Sequence, residues 1–442
     1  MGRESILERK NEQPPTSELL SKSRSYVWRP FTQAATACEP IPIKQGRGAI
    51  LYGENGEEII DAISSWWVTL HGHCHPYISQ KIKEQIDRLE HVMFADFTHQ
   101  PGAELAQKLI GILPDPFSRV FYTDNGSTAV EVAIKMSFQY WHNGNSQTKK
   151  RKIIAFREGY HGDTIGAMAV SDRGLFTKPF EHALFQVDYI DPPREGHEER
   201  TIAQFKELIE TENYAAFIFE PIVQGVAGMK KHSAEGLDTL IGLAKEYGVL
   251  TIADEVMTGF GRTGPKFAIE RLTNVPDMIC LSKGLTGGFL PLGATVTSEA
   301  IYNRFLSTER SQALLHGHSF CGNPIVCSSA IASIDLLVKN ECEEQRDWIE
   351  QSHRKFLAKW GEHDKIRRAD LIGTILSLEY KSDESSSYYN SMRDRLFTHF
   401  KERNILMRPF GNSIHIVPPY CITESELNRV YEVIIESLTT NV

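Results

Sequence analysis

Two stretches of this sequence end a buried-strand pattern on a residue able to do chemistry. Val249-Leu250-Thr251-Ile252-Ala253 runs into Asp254-Glu255, and Met278-Ile279-Cys280-Leu281-Ser282 runs into Lys283, with Gly284 directly after it. A lysine just past a buried strand has a partly desolvated ammonium, which lowers its pKa and makes it a candidate Schiff-base nucleophile. An isolated Ser-Lys-Gly also fits a plain surface loop; the aspartate ending an earlier strand pattern changes the balance. A lysine to carry an aldehyde and an aspartate to keep a ring nitrogen protonated are what pyridoxal 5'-phosphate requires of a protein.

Other stretches add candidate groups. A short strand pattern, Arg119-Val120-Phe121-Tyr122-Thr123, leads through Asp124-Asn125-Gly126-Ser127-Thr128 into a helix reaching about Trp141. Free N–H groups and the helix dipole would favour a phosphate at Gly126 and Ser127, although an ordinary N-cap serine has the same look. Arg408-Pro409-Phe410-Gly411 precedes an apolar strand; its guanidinium could clamp a carboxylate or close a structural ion pair. His71, His73, Cys74 and His75 crowd together, but alternate residues of an extended segment face opposite ways and no second cluster matches, so no metal is expected. Gly259-Phe260-Gly261-Arg262-Thr263-Gly264 matches the dinucleotide fingerprint. Pro265 follows at once and no strand-borne acidic residue comes about 20 positions later. A nicotinamide-dependent oxidoreductase is therefore the alternative from a different class.

The elements that must position these groups form an α/β pattern. Strands near residues 120, 154, 218, 251 and 280, several separated by helical segments, predict a largely parallel sheet. The candidate groups fall at strand C-terminal ends, where open α/β sheets place ligands. Upstream, residues 1–25 read as a polar arm with a breaker at Gln13-Pro14-Pro15-Thr16, followed by the aromatic run Tyr26 to Gln33. Gly46 to Asp61 reads as strands turning at Gly53-Glu54-Asn55-Gly56. Helices are expected over Tyr77 to Glu90 and Pro101 to Leu113. From about Ala330, helical patterns at Ile331 to Val338 and Trp348 to Trp360 accompany strands at Leu371 to Leu378 and Ser413 to Val417, a smaller α+β domain. The expected division is residues 1–63 (arm and part of a small domain), 64–338 (large cofactor-binding domain) and 339–442 (the rest of the small domain).

Bulk properties exclude some partners. Of 442 residues 41% are hydrophobic and 24% charged, and the net charge of -9 argues against nucleic acid or an anionic membrane. There is no apolar run of about 18 residues and no secretory-signal pattern at the start. Seven cysteines without a CxxC spacing fit reduced thiols, hence a cytoplasmic protein.

From Trp28 to the C-terminus the chain resembles the class III aminotransferases of the pyridoxal-phosphate fold type I superfamily. The most specific matches are Tyr160-His161-Gly162-Asp163, Ala253-Asp254-Glu255-Val256, Gly259 to Gly264 and Ser282-Lys283-Gly284. Trp28-Arg29-Pro30-Phe31-Thr32, Ser64-Ser65-Trp66-Trp67 and Arg408-Pro409-Phe410-Gly411 make it similar to the branch that transaminates 8-amino-7-oxononanoate to 7,8-diaminononanoate in biotin biosynthesis. The resemblance implies a large domain with a mostly parallel sheet, a small domain built from both chain ends, and a homodimer with shared active sites. It gives Lys283 the cofactor aldehyde and the acid–base role, Asp254 the pyridinium nitrogen, Gly126 and Ser127 the phosphate, and Tyr160 the ring face. Ser319 would reach the phosphate from the partner subunit. Phe31, Trp66, Trp67, Asp163, Arg262 and Gly317 would shape the substrate cavity, and Arg408 would hold the substrate carboxylate. Phe31, where a tyrosine is usual, and His316-Gly317-His318-Ser319 resemble members that use lysine as donor; Trp66-Trp67 resembles those using S-adenosylmethionine, the donor favoured. Another class III ω-aminotransferase, of the ornithine, 4-aminobutyrate or diamine type, is the alternative within the class.

Overall fold

The computed structural model describes residues 17–174, 176–211 and 213–440. Its centre is a seven-stranded sheet in the order Phe117–Thr123, Gly293–Ser298, Met278–Leu281, Leu250–Asp254, Tyr214–Phe219, Lys152–Phe156, Val187–Ile190. Gly293–Ser298 runs antiparallel to both neighbours, while the other four pairings are parallel. Tyr214–Phe219, Leu250–Asp254 and Met278–Leu281 are buried along their whole length. Covered on both faces, they read as unbroken apolar runs rather than alternating ones.

Register then sets the chemistry. Asp254 pairs with Cys280, three residues before Lys283, and Ala253 pairs with Phe219, just before Glu220. Three adjacent strand ends thus present a carboxylate, a second carboxylate and a lysine along one edge. The helix Gly126–Gly144 buries Ala129, Val130, Val132, Ala133 and Met136 against the strands. Thr295 Oγ1 ties it down by donating to the Ala129 carbonyl at 2.7 Å.

A second sheet joins the chain ends: Ile43–Arg47, Ile50–Gly53 and Glu58–Asp61 continue into Ile405–Leu406, which pairs in parallel with Glu58–Asp61. Arg408 is carried just beyond that join. In the third sheet, the single strand expected from Leu371 to Leu378 is instead a hairpin, Ile366–Ile372 and Ile375–Tyr380, reversing at Gly373 with φ 52°. Apolar residues continue through the turn, so the pattern hides it. The Gln13–Thr16 breaker lies outside the described residues, and the end of the expected arm is a helix, Glu18–Tyr26, capped by Ser17 Oγ accepting from Leu20 N at 3.2 Å. Among the described residues no helix is long and apolar enough to cross a membrane.

Candidate active site

The strand ends open on a cavity of about 670 Å³ lined by Lys283, Asp254, Glu220, Tyr160, Ser127 and Trp67, among others. Lys283 begins a tight 3-10 turn with φ 46°, and its Nζ lies 4.7 Å from the centre of the Trp67 ring. Desolvation lowers its pKa from 10.5 to about 8, with Asp254 and Glu220 opposing the shift. The amine is therefore available as a nucleophile and base close to neutrality.

Asp254 is buried and held on two sides. His161 Nδ1 lies 2.7 Å from its Oδ2, and the Val256 amide donates to Oδ1 at 3.1 Å. His161 is itself fixed by its amide, which donates to Ser171 Oγ at 2.8 Å. Glu220 accepts from the amides of Tyr160 (3.0 Å) and Gly225 (2.8 Å). Burial pushes its carboxyl up to about 7, His161 opposing and the Asp254 charge adding. Tyr160 donates to Asp163 Oδ2 at 3.0 Å, and burial raises its phenol.

The N-terminus of the Gly126 helix forms the far end of the cavity. Asn125 and Thr128 make a capping box: Asn125 Oδ1 accepts from Thr128 N at 3.0 Å, and Thr128 Oγ1 from Asn125 N at 3.1 Å. Among the described residues, the amides of Gly126 and Ser127 find no protein acceptor, leaving two donors facing the cavity. Ser127 Oγ accepts from Thr164 N at 3.0 Å and lies 2.7 Å from Thr164 Oγ1, which donates to Glu131 at 2.6 Å. Space there is taken up to the last atom. A Cβ on Gly162, whose φ is 127°, would stand 2.4 Å from Ser127 Oγ, and one on Gly126 would stand 2.7 Å from Val256 Cγ1.

Beside the cavity the backbone takes positive φ at four successive residues, Ser64 to Trp67. Asp61 secures that turn: Oδ1 accepts from the amides of Ile63 (3.2 Å) and Ser65 (2.9 Å), and Oδ2 from Ser65 Oγ (2.9 Å). The two tryptophans consequently diverge. Trp67 faces Lys283 and packs on Phe410 and His415, whereas Trp66 meets Phe31 at 5.4 Å and carries the Arg408 guanidinium over its ring at 4.8 Å. Arg408 donates to the Phe31 carbonyl (3.3 Å) and Tyr388 hydroxyl (3.5 Å). Among the described residues it forms no ion pair with a carboxylate, contrary to the structural-pair alternative.

Six expected residues do not line this cavity: Phe31, Trp66 and Arg408 form a cluster of their own beside the cavity-lining Trp67, and Arg262, Gly317 and Ser319 stand farther apart. Arg262, expected to shape the substrate site, does not line the cavity; it is buried behind it, donating to the carbonyls of Pro418 (2.7 Å) and Thr69 (3.5 Å) over the Tyr420 ring. Its Nη1 and Nη2 are spent on backbone oxygens, while its Nε has no partner among the described residues. Gly317 and Ser319 lie on an exposed loop and do not line this chain's own cavity. The dinucleotide-like Gly259–Gly264 run is a closed turn, Gly261 N donating to Lys266 O at 3.0 Å, and a Cβ on Gly261 would meet Arg346 at 2.6 Å. No phosphate can approach it. In the histidine cluster, His71 Nε2 bonds the Ser333 carbonyl and His73 Nε2 pairs with Asp61, while the His71 and His75 rings stand 6.3 Å apart. Glu220 and His161 were not picked out as site residues, although Glu220 ends its strand just as Asp254 does.

The aminotransferase class-III family matches residues 32–438. The chain belongs to the class-III aminotransferases. It is 44% identical to the adenosylmethionine-8-amino-7-oxononanoate aminotransferase of Synechococcus elongatus, over 94% of this chain and 99% of the relative. To the enzyme of that name from Staphylococcus aureus it is 35% identical, over 95% and 96%. Its fold is similar to the crystal structure of the corresponding Methanocaldococcus jannaschii enzyme, with a TM-score of 0.89 and 36% identity over 95% of this chain and 98% of that one. A PLP-bound amine transaminase from an uncultivated Pseudomonas species gives a TM-score of 0.87 and 26% identity over 93% and 98%. A nicotinamide oxidoreductase is thereby set aside.

The cavity of this aminotransferase fits pyridoxal 5'-phosphate on its own terms. Two unused amides at a helix N-terminus suit a phosphate, and the glycines at 126 and 162 let Val256 and the Ser127 backbone pack close around that helix end. A buried carboxylate oriented by a histidine suits a protonated ring nitrogen, and a desolvated lysine suits an aldehyde.

Proposed function

We propose that this aminotransferase transfers an amino group from S-adenosylmethionine to the ketone of 8-amino-7-oxononanoate, yielding 7,8-diaminononanoate for biotin synthesis in the cytoplasm. The observation carrying this reading is Arg408, a guanidinium lying on Trp66, next to the cavity-lining Trp67, that no carboxylate of the described chain neutralises. Its place over Trp66 and against Phe31 suits a long apolar chain ending in a carboxylate. Full-length similarity to enzymes of that name supports the same substrate pair.

Pyridoxal phosphate, when bound, supplies an aldehyde that takes up amino nitrogen and a ring that withdraws electrons. The protein's part is positional and acid–base. Lys283 would hold the cofactor through its Nζ; when free and neutral, that Nζ would take the proton from the donor's amino-bearing carbon and later return one to the acceptor's former carbonyl carbon. Asp254 holds the proton on the ring nitrogen, with His161 fixing the orientation of its carboxylate. The Gly126 and Ser127 amides and the Ser127 hydroxyl hold the phosphate, joined by Ser319 supplied by a second copy of the chain, with Gly317 beside it. Tyr160 covers the ring and Asp163 sets its hydroxyl. Trp66, Trp67 and Phe31 form flat apolar walls that accept donor and acceptor in turn.

Two experiments test this. Borohydride should fix the cofactor on Lys283, and Lys283→Ala should lose turnover yet still bind cofactor; normal turnover in that variant would refute the assignment. In half-reactions, S-adenosylmethionine should bleach the visible band of the bound cofactor. Bleaching by lysine alone would change the donor, and bleaching by ornithine alone would sink the biotin-pathway reading.

A further inference from the structure

Tyr388 follows the polar stretch Ser382 to Ser387, and nothing in the sequence marks it for function. Its ring stands 5.4 Å from Phe176, edge-on, and Phe176 stands 6.2 Å from Phe31, whose ring is 5.4 Å from Trp66. Four aromatic side chains therefore run in a continuous line, with Arg408 lying on Trp66 at one end and bonded to Tyr388 at the other. Tyr388 also borders a smaller cavity of about 310 Å³, which shares Tyr160, Gly162, Asp163 and Val226 with the Lys283 cavity.

The hydrogen bonding at its hydroxyl is lopsided. Arg393 Nη2 donates to the Tyr388 oxygen at 3.2 Å and Arg408 Nη2 donates at 3.5 Å. Arg393 also lies over the ring at 4.6 Å, and its Nε is buried without a partner. A phenol has one donor and two acceptor positions. Both acceptor positions face guanidinium groups, and among the described residues the O–H proton has no acceptor. Arg393, whose charge Asp394 partly offsets at 2.9 Å, and Arg408, unpaired among the described residues, both polarise that O–H toward donation, and what it lacks is an acceptor.

We propose that Tyr388 is a specificity-determining residue that donates its hydroxyl proton to the acceptor's carboxylate alongside Arg408. The inference rests on the reading of Arg408 as the carboxylate clamp. Arg408 supplies charge and N–H donors, Tyr388 adds an O–H donor directly beside it, and Arg393 holds the phenol in place. One guanidinium recognises any anion; a phenol fixed beside it favours a carboxylate that can take both donors at once.

The test uses holoenzyme with the keto acid and with its methyl ester. Tyr388→Phe keeps the ring on Phe176 and removes only the hydroxyl. It should raise KM for the free acid about 10-fold, leave kcat in place, and leave the ester's KM unchanged, because a donor to a charged group is lost from ground and transition states alike. Arg408→Gln serves as the reference. If Arg408→Gln abolishes the preference for acid over ester while Tyr388→Phe does not alter it, the Tyr388 inference falls and the clamp stands. If Tyr388→Phe raises KM for acid and ester equally, the residue only supports the loop, and the inference also falls. If neither variant changes the preference, the clamp reading itself is wrong.

Discussion

Gly162→Ala strikes the cofactor site through a single methyl group. The residue sits at φ 127°, outside the region that L-residues adopt, and the added Cβ would lie 2.4 Å from Ser127 Oγ, 2.5 Å from Ser127 Cβ and 2.9 Å from Ser127 Cα. The backbone conformation alone costs about 1–3 kcal/mol for a non-glycine residue. Overpacking costs about 1–3 kcal/mol more, since Ser127 is anchored by Thr164 and cannot swing aside freely. The displaced residue carries the hydroxyl and one of the two free amides assigned to the phosphate. If only about 1.4 kcal/mol of the cost falls on the bound state, the Kd for pyridoxal phosphate rises tenfold. Titrating cofactor-free protein with pyridoxal phosphate measures Kd, and thermal melting with and without cofactor separates binding from folding. Gly111→Ala is the control: it lies in the helix Gln100–Ile112 with nothing within 4 Å of a new Cβ, so cofactor affinity should be unchanged. An unaltered Kd and melting temperature in Gly162→Ala would refute the close approach of the Tyr160–Asp163 loop to the phosphate helix.

Two further outcomes follow from the titrating groups. With the Lys283 amine lowered from 10.5 to about 8, covalent uptake of pyridoxal phosphate by cofactor-free protein should rise with pH through about 8 and then level; a rate still climbing past pH 10 would mean an ordinary, solvated lysine. Glu220 is raised from 4.5 to about 7 by burial, so the folded chain binds its proton more tightly than the unfolded one. That stability is fully present below pH 4.5 and is lost as pH rises through about 7. Glu220→Gln removes the titration and should shrink the fall in stability between pH 5 and pH 8 by on the order of 3 kcal/mol. Denaturant midpoints at the two pH values measure it, and an undiminished fall would place the titration elsewhere.

How much of this was legible depends on what each residue faces. Lys283 and Asp254 were visible because strands buried on both faces leave unbroken apolar runs, and a polar residue at the end of such a run stands out. Gly293–Ser298 was not recognised, since its threonines spend their hydroxyls inside the fold, as Thr295 does on Ala129, and so read as polar. Arg262 and Arg408 each lie next to glycines or prolines, Arg262 within Gly259–Gly264 and Arg408 just before Pro409, and local pattern cannot tell one from the other. Contacts far apart in sequence decide: the carbonyls of Pro418 and Thr69 take the two Nη groups of Arg262, while Arg408 meets only neutral oxygens among the described residues. The parallel pairing of Ile405–Leu406 with Glu58–Asp61, which carries Arg408 toward the Trp66 turn, joins segments at opposite ends of the chain. No local periodicity records such a pairing. Tyr388 was hidden for the same reason, in a polar loop whose partners come from Phe176, Arg393 and Arg408.

The central claim is tested most directly by following the product. Purified holoenzyme is incubated with 8-amino-7-oxononanoate and one donor at a time, and the mixture is read by mass spectrometry. The expected result is 7,8-diaminononanoate formed with S-adenosylmethionine and absent with Lys283→Ala. No diamine with S-adenosylmethionine or lysine, while the same preparation transaminates ornithine, would contradict it.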